Sequence, residues 1–416
     1  MFVQLLVFSA LASPTPVVSL EESWKASFIK SEVLADQIEQ LNQAELNYKQ
    51  AVAAILPTVT GMGSYQIQDT SNVPSTSGFF QGAQPSVKIN VAQPLFRGLR
   101  EYAGLRSANK KIGAQLHAKY QAQLQIMQDV STTYFQILMY ERDLANYKNE
   151  LSLYDDRTVE IKKRISIGRS RETELLLLQS QQSSTRAAVK QTAGLLEQLR
   201  QTYAFMTGLD PHSVLADAKT IEPVAQLEEY LKKVESRPDL VSNKYKYDSA
   251  DEGVSIAKGT YLPNADLNFN YYLVRAGLLQ NVSWDATASL SWPLFQGGAI
   301  DAGLKVAVSQ RQQAELALER SMRQAKQDLG GFYAVYLADF EQFKELKDAA
   351  EFAKKYYEQQ NKDYRLSLVT NVDLQLALSS YQQAVRARDR GEYTVALDLL
   401  KVRIQSGDLQ AAYVSQ

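Results

Sequence analysis

Two kinds of hydrophobic pattern alternate along the chain. Between Ser19 and Pro57 the apolar residues recur at the three- and four-residue spacing of an amphipathic helix, and Ser19 with Glu22 forms a capping-box signature. After Pro57, apolar and polar residues alternate singly on both sides of a Gly/Ser/Pro-rich stretch, over about 58–93. The pattern therefore predicts one helix, followed by a β-hairpin with a long loop and one apolar face.

A helix of unusual length is predicted next. No proline occurs between Leu95 and Asp210, and good helix-forming residues dominate this stretch. The one visible break is the turn 167–171 around a glycine, which predicts helices over 97–166 and 172–206. The first of these would be about 105 Å long at ~1.5 Å per residue, so it must pack along its length against other helices.

The same order of elements occurs twice. The run Pro-Leu-Phe at 94–96 returns at 293–295, and Tyr134 returns as Tyr333, always 199 residues later. A tandem duplication explains this constant offset. The predicted parts are a first repeat over 13–206, a linker region over 207–237, and a second repeat over 238–416 with a hairpin at about 264–292, a long helix at 297–365, a turn at 366–371, a helix at 372–406 and a C-terminal tail.

The last strand of the second hairpin has one wholly apolar face. Trp284 and Trp292 frame that face, while Ser, Thr and Asp occupy the other. An apolar band bounded by aromatic residues is typical of outer-membrane β-barrels, where both tryptophans would form part of the girdle. The alternative is a half-buried sheet in a soluble protein, with the tryptophans in its core. Four strands are too few to close a barrel, so three chains giving twelve strands are predicted.

Composition removes several classes of function. The chain has 416 residues, 45 basic and 46 acidic side chains, a net charge of −1, two histidines and no cysteine. This composition gives no indication of nucleic-acid binding, and it excludes disulfides and ordinary zinc sites. No catalytic constellation or phosphate-binding loop is found, so neither an enzyme nor a cofactor is predicted.

The first twelve residues, 1–12, are predicted to be a signal peptide. They form a short apolar run that ends in Ala-Leu-Ala, although the usual positive start is missing; the alternative is a buried N-terminal element. No other segment reaches the ~18 apolar residues that a membrane helix needs.

Six short stretches together resemble the TolC family of outer-membrane efflux and secretion channels. They are 18–22, 55–57, 93–98, 236–240, 261–263 and 292–298, and they occur in family order over nearly the whole chain. The resemblance implies a fold that is mainly α with a membrane β-barrel part: a homotrimeric α-helical tunnel topped by a twelve-stranded barrel. It also implies an outer-membrane location extending into the periplasm, contact with outer-membrane lipid, a periplasmic adaptor and an inner-membrane transporter as partners, and a passive duct gated at its periplasmic tip.

The two turns between the long helices match the tip turns of that family. The resemblance implies adaptor contacts at Gly168, Ser170, Ser367, Leu368 and Thr370. It places Tyr364 and Glu174 where a closing link is expected, and Asp373 where an acidic ring narrows the pore. The alternative for both acids is an ordinary helix N-terminus, where a carboxylate is favourable with the helix dipole.

Three positions depart from the family pattern at the second turn. Ser367 replaces the usual glycine, Val369 stands where some members have a linking arginine, and Leu376 stands where a second ring acid can occur. We therefore expect the gate to be held differently, through Arg169, Arg171 or Arg365. The alternative for the first two arginines is a solvated turn.

The sequence supports an exit duct of a tripartite efflux pump or a type I secretion system, and does not reveal its substrate. A second hypothesis is a periplasmic coiled-coil adaptor or scaffold without a pore, which would also have long helical hairpins. The adaptor would need a compact β-domain, whereas this chain has strands at the same point of each repeat.

Overall fold

The structure is a computed structural model that describes residues 17–69, 82–219, 225–407 and 409. The predicted signal peptide lies outside these residues. The elements are, in order, β1 Val17–Val18, α1 Leu20–Lys30, α2 Glu32–Ala53, β2 Thr58–Ile67, β3 Ala83–Arg97, α3 Arg100–Ser166, α4 Glu172–Thr207, β4 Val214–Leu215, α5 Leu227–Lys233, α6 Pro238–Gly259, β5 Asn264–Arg275, β6 Trp284–Ser291, α7 Ala299–Arg365 and α8 Asn371–Ser406, with a 3₁₀ turn at Val234–Ser236.

The long helices α3 and α7 have the same length. Each contains 67 residues and is followed by a 36-residue helix, α4 or α8. They begin at Arg100 and Ala299 rather than at 97 and 297 because the backbone turns just before them. Gly98 and Leu99 have left-handed φ angles of 68° and 61°, and Gly297 and Gly298 have φ angles of 59° and 86°. The left-handed conformation ends a strand and sets a new chain direction, and glycine adopts it without steric cost.

The single helix predicted between Ser19 and Pro57 is wrong, because the structure divides it at Ser31. The backbone of Ser31 is extended, with φ −69° and ψ 115°, although its N–H still donates to the carbonyl oxygen of Ser27. Its hydroxyl accepts a hydrogen bond from the N–H of Leu34 at 3.2 Å and so caps α2. Serine prefers such a cap to a helix interior, because its side chain competes for backbone groups.

The chain divides into two compact units. The first comprises Met1–Ala35, Tyr120–Arg237 and Gln324–Gln416, and the second comprises Asp36–Lys119 and Pro238–Arg323. Each unit therefore draws on both sequence repeats, whereas the predicted division followed the order of the chain.

The core of the first unit surrounds Tyr134 of α3. Its ring is fully buried, and its hydroxyl lies within hydrogen-bond distance of the carbonyl oxygens of Val18 (3.0 Å), in β1, and Ala216 (2.6 Å), which follows β4. Burial raises the pKa of this phenol above its ordinary value, so it remains a hydrogen-bond donor. A neighbouring cluster includes Trp24, whose indole N–H donates to the Ser131 hydroxyl at 2.9 Å.

The second unit contains an antiparallel sheet of four strands in the order β2-β3-β5-β6. Each repeat contributes one hairpin, and the two hairpins join through β3 and β5. Beside the sheet, Gly98 and Gly259 touch so closely that a Cβ on Gly98 would lie 2.1 Å from the Gly259 carbonyl oxygen. Within the described residues, every helix is too short or too polar to cross a bilayer.

A carboxyl pair joins α7 to α8 in the first unit and generates a prediction about pH. Burial, then a hydrogen bond with Asp398, then the charge of Asp398 raise the pKa of Asp339, and Lys401 opposes them. Asp398 is itself buried and accepts a hydrogen bond from Lys401 at 2.9 Å. A raised folded-state pKa contributes stability below the unfolded pKa, and that contribution is lost as the pH rises through the folded value.

Asp339→Asn should therefore stabilise the protein at neutral pH, because an amide keeps the hydrogen bond without a second negative charge. We expect the melting temperature of the variant to exceed that of the wild type by roughly 2–4 °C near neutral pH, with the difference shrinking as the pH falls below the raised pKa of Asp339. Thermal unfolding followed by circular dichroism measures both values. Glu341→Gln, at an exposed acid of the same helix, is the control. An increase in melting temperature that is independent of pH would contradict the explanation by the raised pKa of Asp339.

Candidate functional site

The sheet of the second unit presents its apolar face to the outside. Side chains on that face are largely exposed, with exposed fractions of 67% for Tyr65, 61% for Leu273, 57% for Trp284 and 74% for Leu290. The polar residues Asn90 and Asn270 on the other face are half-buried. A water-soluble sheet covers its apolar face with other elements and exposes its polar one. Here the apolar face has no such cover among the described residues, and the polar face is half-buried around Asn90, Asn270 and Asp285, whereas β2 and the rest of β6 are exposed on both faces.

The two predicted girdle tryptophans differ in their local contacts. Trp284 begins β6 and stacks on Phe269, with ring centroids 5.8 Å apart. The predicted strand end at 292 is wrong by one residue, since β6 ends at Ser291 and Trp292 follows it. The indole N–H of Trp292 donates to the carbonyl oxygen of Tyr261 at 3.0 Å, and 62% of its surface is exposed. Both rings can thus contact an apolar environment, and the indole N–H of Trp292 already has a hydrogen-bond acceptor.

Hydrogen bonds across the polar face fix the register of three strands. The Asn90 amide donates to the Asn270 side-chain oxygen at 3.0 Å, and the Asn270 amide donates to Asp285 at 2.8 Å. These three residues are direct cross-strand neighbours. A slip by one residue would move every polar side chain to the apolar face, so this row specifies which face is which.

Gly168 lies in the turn between α3 and α4, where α3 ends. Its φ is 71°, and the N–H groups of Gly168 and Arg169 donate to the carbonyl oxygens of Ile165 (2.9 Å) and Arg164 (2.8 Å). After the turn, the Ser170 hydroxyl donates to the Glu174 carboxylate at 2.7 Å. Glu174 thus stabilises the start of α4 within its own chain.

The second turn repeats this geometry with a serine in the place of glycine. Ser367 has φ 60°, and the N–H groups of Ser367 and Leu368 donate to the carbonyl oxygens of Tyr364 (3.0 Å) and Asp363 (2.9 Å). For a residue with a Cβ the left-handed conformation costs about 1–2 kcal/mol. Serine at position 367 therefore makes the turn less favourable than glycine would, while the backbone shape of the turn stays the same.

Thr370 and Asp373 form a capping box at the start of α8. The Thr370 N–H and hydroxyl both donate to the Asp373 carboxylate, at 2.9 and 2.6 Å, and the Asp373 N–H donates back to the hydroxyl at 3.3 Å. The bond from the Thr370 hydroxyl, followed by that from its N–H, holds the pKa of Asp373 below its ordinary value. The carboxylate is exposed and remains ionised while it caps the helix.

Tyr364 is enclosed by two arginines of α3, which sequence reasoning missed. Only 4% of the residue is exposed, and the guanidinium carbons of Arg157 and Arg164 lie 4.7 and 4.1 Å from its ring centroid. Glu160 binds both arginines, at 2.6 and 3.1 Å. We call these four residues the tyrosine clamp. Their spacing of three and four positions along α3 is the signal in the sequence that could have revealed the ion pairs.

The predicted gate residues have separate contacts in the structure, Tyr364 with the clamp and Glu174 with Ser170. Burial is the main cause of the raised pKa of Tyr364; the charges of Arg164 and Arg157 oppose it, and those of Glu160 and Glu174 add to it. Asp373 accepts a hydrogen bond from the N–H of Thr370, the residue that caps α8. Arg169, Arg171 and Arg365 are exposed, and none of the three forms an ion pair among the described residues.

Comparisons with known proteins agree with this architecture. The sequence profile described as "Outer membrane efflux protein" matches residues 30–209 and 232–401. Comparison with curated protein sequences finds no match.

Solved structures of outer-membrane channels share the fold. The VceC protein of Vibrio cholerae matches with a TM-score of 0.81 and 17% identity, over 93% of this chain and 96% of that one. CmeC of Campylobacter jejuni gives 0.80 and 16%, over 93% and 85%. The open state of MtrE from Neisseria gonorrhoeae gives 0.77 and 18%, over 93% and 88%.

The predicted fold class, mainly helical with a small sheet, is confirmed by these structures. The family match also favours the channel over the pore-free adaptor. Because the family profile covers most of both repeats, this chain belongs to the outer membrane efflux protein family, and it is an efflux channel protein of the outer membrane.

Proposed function

We propose that three copies of this chain form a passive exit duct through the outer membrane. The observation that carries the proposal is the exposed apolar face of a sheet whose outer strands, β2 and β6, each have one open edge. In lipid, an open edge leaves backbone groups without hydrogen-bond partners, at a cost of several kcal/mol each. If β6 of one copy pairs with β2 of the next, three copies give twelve strands and no edge remains.

The polar face then lines the duct. Small hydroxyl and amide side chains on that face suit a water-filled interior, and the apolar face meets lipid. The tryptophans Trp284 and Trp292 lie at the two ends of β6, where an aromatic girdle is placed in such proteins.

The two turns of the first unit are proposed as the end that meets a periplasmic adaptor of a tripartite pump. Both turns expose apolar side chains, with exposed fractions of 61% for Ile167 and 70% for Leu368. Exposed apolar residues on tight helical turns suit packing against the helices of a partner. Gly168, Ser170, Ser367 and Thr370 shape these turns, and we infer that they act with Leu368 in the contact.

The tyrosine clamp is proposed to hold the closed position of the gate. Arginine over an aromatic ring is worth about 0.5–2 kcal/mol per contact, and more when water is excluded. The clamp thereby takes the part of the linking arginine that Val369 replaces. Asp373 supplies the acidic ring while it caps α8, and the exposed Arg169, Arg171 and Arg365 are left for the partner or a neighbouring copy. We infer that the duct performs no chemistry.

The membrane position of the sheet is tested by tryptophan fluorescence. The chain has three tryptophans, and Trp24 is buried in the helical unit with 5% exposure. In vesicles containing brominated lipids, we expect strong quenching of Trp284 and Trp292 in variants that retain only one tryptophan. The variant that retains only Trp24 is the matched control and should keep its fluorescence. Equal, weak quenching of all three would contradict the proposal.

The gate is tested by single-channel conductance in a planar bilayer. The wild type should show a small, steady conductance. Tyr364→Ala removes the ring from the clamp, and we expect the open fraction to rise about tenfold, equivalent to about 1.4 kcal/mol.

Tyr364→Phe is the matched control because it keeps the ring between the two guanidinium groups. It should stay close to the wild-type conductance. If Tyr364→Phe opens the channel as much as Tyr364→Ala, the phenol hydroxyl rather than the clamp holds the gate. A protein that stays soluble without detergent and never conducts would instead indicate the pore-free scaffold.

A further inference from the structure

The strands of the sheet carry one more cation than acid. The charged residues within β2, β3, β5 and β6 are three cations, Lys88, Arg97 and Arg275, and two acids, Asp266 and Asp285. The excess is therefore one positive charge per chain.

Both acids are already paired. Asp266 binds Arg97 at 3.0 Å. Asp285 binds Arg275 at 3.4 Å, and its other oxygen accepts the Asn270 amide at 2.8 Å. Each carboxylate is thus directed to a partner at a fixed place on the sheet.

Lys88 is the cation that remains. Within the described part of the chain its ammonium forms no ion pair, although it lies near enough to Asp285 to act on it through space. Its ammonium nitrogen lies 5.7 Å from the ring centroid of Tyr272, the cross-strand neighbour in β5. The guanidinium of Arg275 contacts the same ring at 3.9 Å.

The backbone places Lys88 on the polar face. It alternates with the exposed apolar residues Val87 and Ile89 and is two residues from Asn90 of the register-fixing row. The lysine side chain is half-buried, while its apolar neighbours on the same strand are exposed. Its charge is therefore on the polar face of the sheet.

We propose that Lys88 is an anion-attracting site on the inner face of the duct, which takes carboxylate or phosphate groups of small organic solutes as they pass. The inference rests on the proposed function, because only a closed sheet turns this face into a lining. Three copies then supply three lysines, none of which forms an ion pair with a carboxylate of the sheet among the described residues. A ring of like charges beside low-dielectric walls raises the local concentration of the opposite ion.

The aromatic ring gives this site a defined position. A lysine is a flexible point charge, and contact with an aromatic face limits its range of positions while leaving the ammonium hydrogens free to donate. Arg275 contributes little net charge, because Asp285 balances it. The site thus depends on one residue, which makes it testable by single substitutions.

The experiment is the reversal potential of the complete channel in a planar bilayer, under a potassium chloride gradient. Lys88→Gln should lower the chloride-to-potassium permeability ratio about twofold, whereas Asp285→Asn, on the same face, should raise it. Lys88→Arg keeps the charge and should restore the wild-type ratio.

A second readout uses citrate as the anionic probe. Citrate added to the bath should reduce the current of the wild type and of Lys88→Arg, and Lys88→Gln should need a severalfold higher citrate concentration for the same reduction. An unchanged permeability ratio and unchanged citrate block in Lys88→Gln, in a channel that conducts normally, would overturn the inference. Absence of any conductance in the wild type would overturn the proposed duct itself, so the two failures are distinguishable.

Discussion

A sheet surrounded by lipid must satisfy every backbone hydrogen bond within protein, because no water is present to do so. Within the part of the chain that the structure describes, the sheet meets that constraint along its inner strand pairs, and β2 and β6 each have one unpaired edge. Its exposed side is apolar, and its half-buried side carries the Asn90, Asn270 and Asp285 row. The unpaired edges and the exposed apolar side are both compatible with a sheet in lipid. Pairing with further copies of the chain would supply the missing backbone hydrogen bonds without any additional element.

The left-handed residues decide where the long elements end. Gly98, Gly168 and their counterparts Gly297 and Ser367, each 199 residues later, give the two repeats the same breaks. Helices of 67 residues between those breaks have no internal stop, and they rely on packing rather than on propensity for their stability. Ser367 shows that the turn is required even where the residue is unfavourable, since its hydrogen bonds match those of the glycine turn.

Charge is placed differently in the two units. In the first unit, buried acids bind arginines, such as Asp143 with the half-exposed Arg390 at 2.6 Å and Glu150 with Arg386 at 2.6 Å. Removing one partner of such a pair would leave a buried charge alone, so these pairs fix which helix faces meet. In the sheet, both acids are paired with arginines, and Lys88 forms no ion pair among the described residues. A structural role explains the paired charges, whereas Lys88 has charge without a carboxylate partner, and that difference makes it a functional candidate.

The sequence by itself determined the repeat, the strand faces and the helix lengths. These are properties of local pattern: proline spacing, alternation and a constant offset between Pro94 and Pro293 can be read without any contact being known. The break at Ser31 is not visible in the local pattern, because a serine within an otherwise helical pattern is compatible with either a helix interior or a cap.

Only the tertiary structure decided how the candidate gate residues are used. The family resemblance placed Tyr364 where a closing link is expected, but its contacts Arg157 and Arg164 come from α3, about two hundred residues earlier, and no local pattern links them. Asp373 was predicted as a ring acid with a helix cap as the alternative, and its hydrogen bonds with Thr370 show that it caps α8, which is compatible with the proposed ring. Pattern fixes which residues share a face, whereas distance between segments far apart in sequence is set by the packing of the whole chain.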